Sequence, residues 1–257
     1  MQKKLSLLFF LFLFFAISSY AQKTDSTKNI IHLFGAAGVT NNGISLIPTF
    51  SLGKPAAIFD LSLGKKRFSF DPEFAFSLEA KPWYFLFWFR YLFVTNEKFR
   101  LSAGTHLGIN FKSMVLPFNM DSSEVSIAER YLAFELSPNY FLTRNISIGI
   151  YYLYGHGLDP TTIKNTHFIT VNAGFLNIKL VKKFFMNIIP QGYYLKQGES
   201  DGFYFTSSFT LVRKGIPLSI SSVINKVIQT SIVGSQDFVW NITLTYSFGR
   251  EYGSLSK

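Results

Sequence analysis

Residues 65–83 read KKRFSFDPEFAFSLEAKPW, and their side chains alternate in character. Phe68, Phe70, Phe74, Phe76 and Leu78 take one parity, while Ser69, Asp71, Glu73, Ser77 and Glu79 take the other. Neighbouring side chains of a β-strand point to opposite faces, so this stretch has one greasy face and one acidic face. The pattern recurs along the chain. Phe99, Leu101, Ala103, Leu107, Ile109 and Phe111 oppose Arg100, Ser102, Gly104, His106, Gly108 and Asn110. Leu132, Phe134, Leu136, Tyr140 and Leu142 oppose Glu135, Ser137 and Asn139. Phe203, Phe205, Phe209 and Leu211 oppose Tyr204, Thr206, Ser208 and Thr210. Near the end, Phe238, Trp240, Ile242, Leu244, Tyr246 and Phe248 oppose Asn241, Thr243, Thr245 and Ser247. Period two dominates and no long segment carries a helical period, so the chain reads as all-β.

The breaks between these runs are of two kinds. Short polar turns fall at 64–67, 95–98, 143–145, 182–183 and 213–215, and somewhat longer loops near 80–82, 112–125, 155–165, 197–202 and 229–237. Short turns on one side and longer loops on the other are the layout of a single transmembrane antiparallel β-barrel, here of about twelve strands. The first hairpin is ambiguous: residues 30–39 or 44–52 supply its first strand, and the other segment is a loop or an insertion into the lumen. Many runs reach the ~9–11 residues that a tilted membrane strand needs. Aromatic residues gather near strand ends, at 83–91, 151–154, 193–194 and 238–240, where interfacial girdles belong. A soluble β-sandwich would also alternate, but with fewer phenylalanines on its apolar face. Pro48, Pro72, Pro138, Pro190 and Pro217 sit in or beside these strands, although a closed barrel has no free edge for them. Bulges are the expected accommodation, with one at Pro72.

Composition narrows the setting. The first residues, MQKKLSLLFFLFLFFAISSYAQ, place Lys3 and Lys4 before an apolar run from Leu5 to Ile17, then small Ser19 and Ala21. This is the plan of a secretory signal peptide (residues 1–21) cleaved after Ala21, leaving residues 22–257 as one barrel domain. The chain has no cysteine, hence no disulfide framework, lipid-modified thiol or thiolate metal site, and no cofactor or metal is expected. The formal net charge is +10. The basic excess sits in the short turns, in Lys65, Lys66, Arg67, Lys98, Arg144, Lys182, Lys183, Arg213 and Lys214. A cationic rim suits lipid phosphates and gives no reason to invoke nucleic acid.

On these residues the chain resembles the outer-membrane β-barrel proteins of Gram-negative bacteria. The last strand, FVWNITLTYSF, is the sharpest piece. The resemblance implies that Phe248, with Tyr246 and Leu244 at alternate positions, is read by the barrel assembly machinery, and that outer-membrane lipids are the surroundings. The chain departs from the pattern by continuing from Gly249 to Lys257. The stretch KRFSFDPEFAFSLEAKPW is similar to a motif of uncharacterised barrels of this class, for which no activity is implied.

The polar face carries the candidate chemistry. Asp71, Glu73, Glu79, Arg90, Arg100, His106, Asn110, Glu129 and Glu135 are expected in the lumen, with Arg90 or Arg100 partnering the buried acids. No nucleotide loop, zinc spacing or nucleophile elbow is present. Ser102 and His106 share a face, but four strand residues separate them by roughly 13 Å, too far to pair directly. The reading that follows is a narrow channel or small-solute transporter with a charged lumen. The alternatives are a structural or assembly barrel with a closed polar interior, and a lipid-active enzyme. Solute and oligomeric state stay open.

Overall fold

The structure is a computed structural model that describes residues 30–118 and 121–253. The signal segment 1–21 lies outside the described residues. The strands are β1 (Ile30–Thr40), β2 (Ala56–Lys65), β3 (Phe68–Ser77), β4 (Pro82–Thr95), β5 (Phe99–Phe118) and β6 (Asp121–Phe141). They continue as β7 (Ile146–Gly157), β8 (Asn165–Val181), β9 (Phe184–Gln197), β10 (Ser200–Arg213), β11 (Leu218–Thr230), β12 (Phe238–Trp240) and β13 (Thr243–Gly253). Each pairs antiparallel with its sequence neighbour through β11, and β13 pairs both β11 and β1, so the sheet closes on itself. β12 and β13 are one stave with a break at residues 241–242, because Ile224↔Trp240 and Ser221↔Thr243 keep one register against β11. Side-chain amides bridge the break: Asn241 Oδ1 accepts from Val223 N at 2.8 Å, and Asn41 Oδ1 accepts from Ile242 N at 2.7 Å. The result is a closed barrel of 12 staves.

Parity decides what each side chain meets. Phe59, Leu61, Leu63, Phe89, Tyr91, Phe134, Leu136, Ile148, Ile150, Phe203, Phe205 and Leu244 all stand exposed on the outer wall. Closure leaves no unpaired edge, so a β chain can carry such a belt through hydrocarbon without orphaned backbone groups. The short turns after β2, β4, β6, β8 and β10 lie at one end with the start of β1 and the end of β13, since Ile30 pairs Gly253. Lys66 and Lys182 take positive φ in two of these turns. The longer connections lie at the other end, which is the extracellular end of a barrel with this layout.

Three expectations need correction. Residues 112–118 and 121–125 are strand and not loop: β5 and β6 keep one unbroken register from Phe99↔Tyr140 to Phe118↔Asp121. At 20 and 21 residues these strands are about twice the ~9–11 that a tilted crossing needs, so their far halves are not held to the alternation of a membrane stave. The connection near 197–202 is a tight turn with Gly198 at φ 59. Pro72 marks no bulge. Asp60↔Glu73 and Leu63↔Phe70 share one register with β2, and only the pairs between them lapse. On the β4 side the ladder runs through Pro72↔Phe87. Pro138 and Pro190 behave alike, pairing with β5 and β10 while the ladders to β7 and β8 lapse and resume in the same register. A strand residue directs its N–H to one neighbour, so proline costs the ladder on that side alone. Bulges fall elsewhere, at Ala75/Phe76, Leu92/Val94, Phe203/Tyr204 and along residues 175–181.

Candidate functional site

Residues 41–55, between β1 and β2, fold into the lumen around a short 3-10 turn at Pro48–Phe50. Thus β1 begins the first hairpin and 44–52 is the insertion. The wall holds this loop from several sides. Trp83 Nε1 donates to Phe50 O at 2.8 Å, and Tyr193 Oη donates to Leu46 O at 3.1 Å. Gln197 Nε2 donates to Thr49 Oγ1 at 3.1 Å, and the Phe50 ring meets Tyr131 edge-on at 5.0 Å. Leu46 and Ile47 pack on a cluster of Trp88, Ala133, Leu153, Phe168, Tyr193, Leu195, Tyr204 and Ile232. Ile232 comes from the loop between β11 and β12, so two loops from the end opposite the short turns fill that half of the lumen.

Nearer the short turns the lumen is charged. Arg90 on β4 donates through Nη1 to Asp71 at 3.0 Å and through Nε to Glu135 at 2.6 Å. Arg90 reaches Glu135, two strands away, because the residue between them is Gly104, in register with both. A Cβ there would lie 2.9 Å from Phe89 O and 3.0 Å from both Arg90 Cγ and Glu135 Oε1. Asp71 also accepts from Ser62 at 2.5 Å and Ser69 at 2.8 Å, and Glu135 from Tyr151 at 2.9 Å. Glu73 accepts from Tyr84 and stands opposite Asp60 on β2. The guanidinium of Arg90 lies 4.2 Å from the centre of the Trp88 ring, and His106 packs on that ring with centroids 3.9 Å apart.

The structure therefore brings Asp71, Glu73, Arg90, His106 and Glu135 to one stretch of inner wall. Arg90, rather than Arg100, partners the acids; Arg100 is exposed at the lumen mouth and makes no ion pair among the described residues. Glu129 sits further up, accepting from Tyr131 at 2.8 Å and pairing with Lys112 at 2.8 Å, with buried Asn110 nearby. Glu79 is not on the wall. The strand ends at Ser77, Ala80 turns the chain at φ 61, and Glu79 pairs with Lys54 of the inserted loop at 3.2 Å. His106 makes no side-chain hydrogen bond among the described residues, and its buried Nδ1 lacks a partner. Leu244, Tyr246 and Phe248 face outward on β13, which runs on to Gly253. On the outer wall at the loop end, Arg130 clasps Asp159 at 2.5 Å, and that hydrogen bond holds the Asp159 carboxyl below its ordinary range.

The parity that faces the lumen also carries Tyr131 and Tyr151, which take up room inside as their positions in the sequence imply, but the aromatic runs assigned to interfacial girdles divide between the two faces. Trp83, Trp88, Tyr151 and Tyr193 turn inward, whereas Tyr91, Tyr152, Tyr154, Tyr194, Phe238 and Trp240 keep to the outside. Three cavities follow one another along this wall. One of about 390 Å³ at the loop end is lined by Phe50, Trp83, Asn110 and Lys112. The next, about 260 Å³, shares Phe50 and Asn110 with it and is lined by Ile47, Leu86, Trp88, His106 and Leu153. The third, about 360 Å³, shares Trp88 with the second and is lined by Asp60, Asp71, Glu73 and Arg90. Phe50 and Trp88 thus each border two of these cavities.

No family model matches the chain, and no curated protein matches it. Solved structures share its fold. A KdgM porin superposes with a TM-score of 0.51 at 11% identity, covering 84% of this chain and 99% of the porin. An outer membrane channel from Pseudomonas putida F1 gives 0.50 at 8% identity, covering 90% of this chain and 98% of the channel. The chain has the closed fold of outer-membrane β-barrels.

Proposed function

We propose that the barrel is a narrow outer-membrane channel for a small solute, constricted first by Phe50 on the inserted loop and then by Trp88 on the wall. The observation that carries this reading is the succession of three cavities, each joined to the next by one shared aromatic side chain. A closed, merely structural interior would have no reason to keep chambers of this size in line. The two similar structures described as a porin and a channel lend support of the same kind. The lowest chamber sets Asp60, Asp71 and Glu73 against Arg90, so the path favours cations and neutral solutes over anions. Export with cleavage after Ala21, and insertion by the barrel assembly machinery through the outward Phe248, belong to the same proposal.

Purified protein in planar bilayers tests it. Small conductance steps are expected from the native chain. They should grow when residues 44–52 are replaced by a short Gly-Ser link, and again with Trp88→Ala. Absence of current from the folded native barrel and from both opened variants would leave the structural-barrel reading, which the packed cluster around Tyr193 and Leu195 favours.

A further inference from the structure

We propose that copies of the chain associate side by side in the membrane through their β5–β6 hairpins, the β5 edge of one copy pairing with the β6 edge of the next. The inference stands apart from the channel reading and is tested without current.

The open edges come first. The barrel closes by pairing its strands on both sides, and the far half of this hairpin escapes the closure. β4 accompanies β5 only as far as Tyr84↔Asn110, and β7 accompanies β6 only as far as Tyr131↔Gly157. β5 and β6 go on alone, in register with each other, to Phe118↔Asp121. Arg130 is still tied across, since its carbonyl accepts from Leu158 N at 2.9 Å. Residues 111–118 and 121–129 therefore pair on one side only among the described residues. A row of main-chain donors and acceptors with no strand beside it is a template for a further strand. Pro117 withholds one donor near the tip and leaves the rest of the β5 row intact.

Direction comes second. Copies inserted into one membrane share an orientation, so β5 runs away from the short turns in every copy and β6 runs back toward them. Two β5 edges brought together would be parallel, and so would two β6 edges. A β5 edge against a neighbour's β6 edge is antiparallel, which is the pairing the whole barrel uses and the stronger one per residue. The two edges also stand at the same height in every copy. A second copy therefore offers a strand that is already formed and already aligned, whereas a free peptide would first have to be ordered.

Charge comes third and points the same way. Lys112 is the one charged residue of 111–118, whereas 121–129 carries Asp121, Glu124 and Glu129 and no base. Lys112 pairs with Glu129 at 2.8 Å within its own hairpin, so the excess of acid stays on the β6 side. Two β6 edges would set these acids against one another, while β5 against β6 sets them beside the edge that carries the lysine. A contact between unlike edges is head-to-tail, and repeated about an axis normal to the membrane it closes as a ring.

The chain has no cysteine, so introduced cysteines report without background. Ser113→Cys on β5 and Ser126→Cys on β6 are made in separate, differently tagged chains, expressed together, and treated in intact outer membranes with a short bis-maleimide. The mixed pair should give a cross-linked product well above that of either variant alone. A second variant replaces residues 113–126 by an Asn-Gly turn, which leaves Lys112↔Ile127 as the closing pair of a tight hairpin. It should keep the heat-modifiable band of a closed barrel and migrate as a monomer in native gels of mild-detergent extracts, where the native chain migrates as an oligomer. The proposal is overturned if the mixed pair cross-links no better than the like pairs, if the cysteines capture a different protein instead, or if the trimmed barrel stays as associated as the native chain.

Discussion

Replacing Arg90 by Met tests whether one cation holds the charged lumen together. The change keeps most of the side-chain length and deprives two carboxylates of their partner at once. Asp71 is 18% exposed and keeps Ser62 and Ser69 as donors, whereas Glu135 is 4% exposed and keeps only Tyr151. Breaking a fully buried pair from one side costs about 3–5 kcal/mol. Arg90 is itself 34% exposed to the vestibule, so screening lowers the expectation to about 2–4 kcal/mol. Loss of the guanidinium from the Trp88 face adds ~1 kcal/mol. Urea unfolding of the barrel in detergent, followed by fluorescence, reads the difference. The argument assigns most of the loss to stranded charge on Glu135, so Glu135→Gln on the Arg90→Met background should recover at least half of it. A Gln at 135 keeps an oxygen for Tyr151 and needs no cation. Arg90→Met within about 0.5 kcal/mol of the native chain, or no rescue by the second change, would refute the reasoning.

The seam where the two ends of the sheet meet gives a second expectation. Gly35 on β1 pairs with Phe248 on β13, and a side chain at 35 would run into the Phe248 ring. Gly35→Val should therefore lower the yield of closed barrel, read as loss of the heat-modifiable band in gels, while Phe248→Leu should soften that loss. Equal yields for native and Gly35→Val would show that the ring does not guard the seam. A third concerns export: intact mass of the membrane-inserted protein should correspond to a chain beginning at Gln22, and retention of residues 1–21 would refute the proposed cleavage.

The outer wall was legible in the sequence because hydrocarbon leaves a strand no latitude. Every residue of one parity must be apolar for the length of the crossing, and Phe68 to Leu78 or Phe238 to Phe248 show it without help from other strands. The lumen was only half legible. Parity places Asp71, Glu73, Arg90, His106 and Glu135 inward, but their pairing is set by register between strands. Arg90 reaches Glu135 only because Gly104 intervenes, a fact about three strands at once. Trp88 shares the parity of Arg90 and was recoverable, had the aromatic run 83–91 not suggested a girdle. Trp83 was not, because the bulge at Ala75/Phe76 falls beside it. The inserted loop was legible only as one of two alternatives. Ile44, Leu46, Ile47, Phe50 and Leu52 are as apolar as a strand, and their partners Tyr193 and Gln197 lie some 150 residues on, at separations of 147 and 148.

Pro72 ties the backbone of the wall to its chemistry. The ladder between β2 and β3 lapses at residues 61–62 and 71–72, and within the lapse Ser62 and Asp71 would be register partners. Their side chains bond instead, Ser62 Oγ donating to Asp71 at 2.5 Å. A missing main-chain bond is thus replaced by a lumen-facing one, and the same carboxylate goes on to hold Arg90. The lapse is one-sided, which means that the absent N–H of residue 72 faced β2. Pro72→Ala supplies that donor. The ladder should then close across 61–62, with a gain of about 0.5–1.5 kcal/mol from the added bond. Hydrogen exchange should find the new amide at 72 as protected as those of Phe70 and Phe74, and the Arg90–Asp71 pair should persist because Ser69 still orients Asp71. Rapid exchange at 72 in the folded variant would mean that the lapse has a cause other than the missing donor, and that Pro72 is a consequence of the opening instead of its origin.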